Sequence, residues 1–306
     1  MQKDTSRLLH IGLRCIYIAL FMPFVLGCSS IDIQLTHSQM RDSMGVGFVE
    51  KVLSVGGIGR YLGYSSQGLA IYGKYAIITY DTGFIQVLDY ERLEIVGSYA
   101  MPDVAHHRWN HAGMANFGAL FYKDNDMFPL LYVSSYQENK CYVLRVDLHG
   151  AEIIQEIQMA NSWHYFVDDE MNLIVRLYNN DYYVFELPSI YDRDVVLEKE
   201  NAKSCFKCNL ENMQYAGAIC KDNRLLVLCY YRSAPAGVRG RFDRIVEFDY
   251  CGNLLSQYIF KDSRIRTHEF EGLSETNNGD LIISFVADQL AILSQTRNDI
   301  LINNSF

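Results

Sequence analysis

The chain has 306 residues, with 27 Lys and Arg against 36 Asp and Glu for a formal net charge of −9 at pH 7, and 49% of it is hydrophobic. That acidic balance excludes a nucleic-acid backbone as the partner, because neutralising phosphates takes a surplus of Lys and Arg. The hydrophobic share is enough to fill a core, which excludes a disordered chain.

In chain order, Lys3, Arg7 and Arg14 lead into the apolar run Ile16 to Leu26, which ends at Val25-Leu26-Gly27-Cys28. A charged stretch, a run of ~11 apolar residues and a small residue before a cysteine form an export signal, whereas spanning a bilayer takes about 20 apolar residues. Residues 1–27 are therefore expected to be a lipoprotein signal peptide, with Cys28 the acylated first residue of the mature chain. The membrane then becomes a partner through this lipid anchor and not through a transmembrane helix. Loss of Lys3, Arg7, Arg14 and Asp4 makes the mature chain more acidic still. Ser29 follows Cys28 in place of Asp, which favours the outer membrane of the cell envelope, facing either the periplasm or the exterior. Residues 28–45 are polar with little periodicity and read as a tether. Residues 46–306 read as one folded domain.

Within that domain a pattern recurs: a Gly-centred strand, a turn, an apolar strand, another turn, and an apolar strand often closed by an acid. The first copy runs Gln67-Gly68-Leu69-Ala70, Tyr75 to Tyr80, Asp81-Thr82-Gly83, Phe84 to Asp89 and Leu93 to Tyr99. The second runs from His111-Ala112-Gly113-Met114 through Leu130 to Ser134 and Cys141 to Asp147. The third opens at Trp163-His164-Tyr165-Phe166 without the central glycine, and continues through Leu173 to Leu177 and Tyr182 to Leu187. The fourth opens Gln214-Tyr215-Ala216-Gly217, and the last Glu269-Phe270-Glu271-Gly272-Leu273. Gly68, Gly113, Gly217 and Gly272 are taken to mark equivalent places.

Short strands rich in Val, Ile, Leu, Tyr and Phe, with no sustained 3.6-residue period, predict an all-β chain. About four strands per unit at a period of roughly 50 residues predict a β-propeller, whose small sheets bury their faces on one another around an axis. Five blades can be traced, and a sixth fits if a degenerate unit lies in residues 190–215. The last unit lacks a fourth strand while the segment 47–55 has no unit of its own. That N-terminal strand is therefore expected to close the ring, since an open ring would leave sheet edges unpaired, with the C-terminal Asp299 to Phe306 as the competitor for the same place.

The strings Gln67-Gly68-Leu69, His111-Ala112-Gly113, Phe128-Pro129-Leu130-Leu131-Tyr132-Val133-Ser134 and Glu269-Phe270-Glu271-Gly272-Leu273 resemble those of TolB-like propeller lipoproteins of the bacterial envelope. The resemblance covers most of residues 46–295 and implies an exported, anchored propeller, commonly of six blades. It implies little about a substrate, because fold does not fix function.

The first strand of each blade lines a propeller's axis, so the polar residues that open those strands form the candidate ligand-binding set: Gln67, His111, His164, Gln214, Glu269 and Glu271, with Trp109, Trp163 and Tyr215 beside them. The reading is a binding module for an envelope protein or a glycan. The alternative is a carbohydrate- or lactone-active hydrolase built on Glu271 and a second axial acid, whose carboxyls must stand roughly 5 to 9.5 Å apart. Asp81 and Asp168 fall where turns are expected, and turn aspartates are common. No catalytic residue, metal site or cofactor is assigned. Gly57-Ile58-Gly59 lacks the third glycine of a dinucleotide motif, His268-Glu269 lacks a second histidine, and no Gly-x-Ser-x-Gly string occurs. Cys205-Phe206-Lys207-Cys208 has no partner pair for a zinc ribbon, which leaves a local disulfide or two free thiols. The loop from Arg232 to Arg244 carries four arginines on an acidic protein and suits either an anionic partner or solvent.

Overall fold

A computed structural model of the chain describes residues 48–54, 65–102, 112–210, 213–230, 243–260, 270–285 and 289–294. Cys28, the tether and the arginine loop 232–242 lie outside these residues. The described strands begin with β1 (Phe48–Ser54), followed by β2 (Ser66–Tyr72), β3 (Tyr75–Tyr80), β4 (Phe84–Asp89) and β5 (Glu94–Ala100). Next come β6 (Ala112–Phe117), β7 (Leu131–Ser135), β8 (Lys140–Val146) and β9 (Ala151–Gln158), then β10 (Ser162–Val167), β11 (Asn172–Leu177) and β12 (Asp181–Glu186). The chain continues with β13 (Asp194–Val196), β14 (Ser204–Lys207), β15 (Gln214–Lys221), β16 (Arg224–Tyr230), β17 (Asp243–Asp249) and β18 (Leu254–Phe260). The last three are β19 (Phe270–Glu275), β20 (Leu281–Phe285) and β21 (Gln289–Ser294).

These strands form five antiparallel sheets, the blades of a β-propeller: β2 to β5, β6 to β9, β10-β11-β12-β14, β15 to β18, and β19-β20-β21-β1. The N-terminal strand does close the ring. β1 pairs antiparallel with β21, Val52 opposite Ala291, and supplies the fourth strand that the fifth unit lacks. Among the described residues of 190–215 no sixth blade forms. β13 adds in parallel to the outer edge of the second blade and β14 is the outer strand of the third.

The apolar runs are continuous, and the packing explains why. Successive residues of a strand point to opposite faces, and each inner sheet is covered on both. Leu69 and Ile78 pack toward Ile282 and Leu290 of the fifth blade, while Ala70 and Ile77 pack toward Leu131 and Val133 of the second. Leu173 and Val175 join Tyr132 and Val143, whereas Ile174 joins Ala218 and Val227. Leu228 and Ile245 meet Leu273 and Ile283. Five apolar clusters thus fill five seams and return to the first blade.

Inner strands approach most closely where glycine stands. A Cβ on Gly68 would lie 2.6 Å from the Ala115 nitrogen, and one on Gly272 would lie 2.8 Å from the Leu69 nitrogen. Hydroxyls stitch the same seams. Thr79 Oγ1 accepts from the Gly68 N–H at 3.1 Å and donates to the Ala112 carbonyl at 2.8 Å. Ser134 Oγ accepts from the Tyr165 N–H, and Ser274 Oγ from the Ile71 N–H.

Candidate functional site

Every inner strand carries a β-bulge near its start, and the five bulges share one register. The unpaired residues are Gln67, Gly113, Trp163, Ala216 and Glu271. A bulge re-aims its side chain out of the pleat, and all five are half-exposed while their strand neighbours are buried, Tyr215 excepted. Gln67, Trp163 and Glu271 therefore stand at one level around one end of the axis. Gly113 belongs to the bulge and not with Gly68, Gly217 and Gly272, which occupy the next position. Met114 and His164 fill that next position in the second and third blades.

The expected axial set is thus spread over several levels. Gln67 and Glu271 share the bulge. Gln214 pairs with Tyr230, two residues before the fourth bulge, and is half-exposed. His164 follows the third bulge and is buried, 8% exposed. His111, Glu269 and Trp109 lie outside the described residues.

His164 occupies a place where three other blades have glycine, and it changes its seam. β10 approaches β15 far less closely than the other inner strands approach their neighbours across Gly68, Gly217 and Gly272. The gap is filled by a stack. The imidazole lies parallel to the Tyr215 ring, centroids 4.7 Å apart, and the Arg176 guanidinium sits 4.0 Å from the Tyr215 centroid and 5.2 Å from that of Trp163. Arg176 reaches this point because it faces His164 across the β10–β11 pairing.

Arg176 is only 3% exposed. Its Nη1 donates to His164 Nδ1 at 3.1 Å, and Nε and Nη2 both donate to Asn180 Oδ1, at 3.2 and 2.6 Å. The imidazole accepts at Nδ1 and so carries its proton on Nε2. Burial, and then the adjacent guanidinium, hold the His164 pKa well below its usual value. Burial likewise raises the Tyr215 hydroxyl well above its usual value, and Tyr215 Oη has no hydrogen-bond partner among the described residues. Outward from Arg176 the stack continues through Trp163, which meets Tyr178 edge-on at 4.5 Å and Tyr136 at 5.5 Å. Tyr178 is 68% exposed.

The opposite end of this seam is closed by polar bonds. Asp168 accepts from the backbone N–H groups of Glu170 and Asn172 and from Tyr250 Oη, and Asp169 and Glu170 accept from Asp222 N–H and Asn223 Nδ2. Asp168 is a turn residue, as its position in the sequence suggested. Asp81 is another, accepting from the Ser65 N–H. Among the described residues no group of three or more His, Cys, Asp or Glu is placed to hold a metal ion. Cys205 and Cys208 are free thiols, Cys205 exposed and Cys208 buried with its pKa pushed up to about 12. A groove of about 500 Å³ lies on the outer side of the second blade. Its charges are paired internally, Arg145 with Asp126 at 2.6 Å and Glu152 at 3.6 Å.

Trp163 entered the sequence reading only as a neighbour of the candidate set, and Arg176 and Asn180 fell in a strand and a turn of the third unit and were not among the site candidates. The one signal for Arg176 is its place inside Leu173-Ile174-Val175-Arg176-Leu177, a charge in an otherwise apolar strand.

No protein-family model matches the chain, and no curated protein sequence matches it. Similar folds occur among solved structures. Glutaminyl cyclase of Myxococcus xanthus superposes with a TM-score of 0.53 at 10% identity, over 82% of this chain and 97% of that one. The tail fibre of Staphylococcus aureus phage P68 superposes with a TM-score of 0.51 at 14% identity, over 79% of this chain and 52% of that one. Catalytically inactive virginiamycin B lyase from Staphylococcus aureus, solved with quinupristin, gives a TM-score of 0.46 at 11% identity over 80% of this chain. At such identities the likeness is one of fold, and the fold shared is the β-propeller.

Proposed function

We propose that this propeller is a binding module that takes its ligand on the axial face where the inner strands begin, held at the cell envelope by a lipid on Cys28. The observation that carries the reading is the common bulge register, which sets Gln67, Trp163 and Glu271, an amide, an indole and a carboxylate, half-exposed around one mouth. A few convergent polar groups beside aromatic surface are the usual make-up of a ligand site. The anchor rests on the sequence of residues 1–28, as does the resemblance to TolB-like lipoproteins. An envelope glycan or the exposed part of an envelope protein is the partner this address would supply.

The test is a glycan array probed with the soluble domain and with Trp163→Ala, read beside Glu152→Ala on the outer side of the second blade. Ligands should be captured by the parent and by Glu152→Ala, with signal reduced at least about tenfold in Trp163→Ala, as loss of one stacking aromatic predicts. Capture that survives Trp163→Ala together with Gln67→Ala and Glu271→Ala would remove the axial face from consideration.

A further inference from the structure

Among the described residues Arg176 is a buried cation without a carboxylate counter-ion. It is 3% exposed, it bonds a neutral imidazole and an amide oxygen and interacts with the Tyr182 hydroxyl, and no carboxylate among the described residues lies within ion-pair distance. An unpaired charge held out of water is costly, and ordinary folding alternatives remove or pair it. Here the surroundings are arranged to tolerate it: two π faces lie on the guanidinium, and a histidine beside it is kept neutral. The buried Tyr215 hydroxyl next to it also lacks a partner among the described residues. Arginine presents its N–H groups as a planar fork that fits a carboxylate in bidentate fashion.

We infer that the axial-face end of the seam between the third and fourth blades binds a carboxylate carried on a sugar-like ring, the ring against Trp163 and Tyr178 and the carboxylate on the Nη edge of Arg176. Ring and charge are both needed. The aromatic stack leads from solvent to the guanidinium, so a ligand that seats its acid there lays its body on the indole. Tyr178, the most exposed member, covers the entrance and moves on the fast timescale of exposed side chains. The inference deepens the axial-face reading and rests on it, since Trp163 belongs to both.

Three probes separate the contributions: D-glucuronate has ring and acid, D-glucose the ring alone, and acetate the acid alone. Binding is read from the indole N–H resonance of Trp163, assigned with Trp109→Phe because these are the two tryptophans. Glucuronate should bind at least about tenfold more tightly than either glucose or acetate, the range expected of a bidentate charge-assisted pair. Arg176→Lys, which keeps the charge and loses the fork, should bring glucuronate to the level of glucose. Asn180→Asp guards against a folding failure. It puts a carboxylate where Asn180 Oδ1 already accepts two bonds, at a left-handed position (φ 62°) that Asp tolerates. That variant should match or exceed the parent in thermal stability and lose the preference for glucuronate. Equal affinity for glucuronate and glucose, equal affinity for acetate and glucuronate, or a preference that persists in Asn180→Asp would each overturn the inference. Failure here beside an array signal that depends on Trp163 would leave the axial-face reading standing.

Discussion

His164 differs from its counterparts Gly68, Gly217 and Gly272 by an entire ring, and the ring is titratable. In the folded chain its pKa lies well below the usual value near 6.5, first through burial and then through the charge on Arg176. The sign of the consequence follows from proton counts. Below about pH 6.5 the unfolded chain takes up a proton that the folded chain refuses, so stability is full above that pH and falls as the pH drops toward the folded value. The slope from one such proton is at most about 1.4 kcal/mol per pH unit. Asp89, Asp126 and Asp249 also make the fold acid-sensitive, but they are held below 3.8 by hydrogen bonds to Lys74, Arg145 and Asn253 and act at lower pH. Urea unfolding between about pH 5 and 7.5 should therefore show a stability loss in the parent that His164→Gln flattens. Parallel curves for the two proteins would mean that His164 is not held neutral by its seam.

At the scale of the strand, glycine and not side-chain chemistry sets how near two blades come. Gly272→Ala would put a methyl carbon 2.7 Å from Ser284 Oγ and 2.8 Å from the backbone nitrogen of Leu69, an atom that cannot move without shifting the first blade. Overpacking of this kind costs roughly 1 to 3 kcal/mol. Gly150→Ala, where nothing lies within 4 Å, should change the unfolding midpoint little, and equal losses in the two variants would refute the close-approach account. The strands were legible because each is a short apolar run between turn residues, and β1 was legible because it had no unit of its own. The level of each polar residue was not. Gln214 and Gln67 open similar strings, Gln-Tyr-Ala-Gly and Gln-Gly-Leu-Ala, yet the bulge falls on Ala216 in one and on Gln67 in the other. A one-residue bulge leaves no mark in composition. Arg176 was hidden for a different reason: its significance lies in having no described carboxylate within ion-pair distance across the seam, which is a property of the seam and not of β11.

For the molecule as a whole, the five seams are not equivalent. The first and second blades are joined by Thr79 across Gly68, the second and third by Ser134 and by Asn116, whose amide bonds both the Tyr165 carbonyl and the Val167 N–H, and the fifth and first by Ser274. The third and fourth are bonded at the end near Asp168, whereas at the axial face the described groups between β10 and β15 are stacked rings and the Arg176 guanidinium. Local opening concentrates where few buried bonds must break. Native-state hydrogen exchange should therefore proceed faster in peptides covering the first residues of β10 and β15 than in those covering β2, β6 and the first residues of β19. Asn180→Asp, by pairing Arg176 in place, should narrow the difference. If the inner strands of all five blades exchanged together, opening would be a property of the whole ring, and the third seam would have no claim to be the place where a ligand enters.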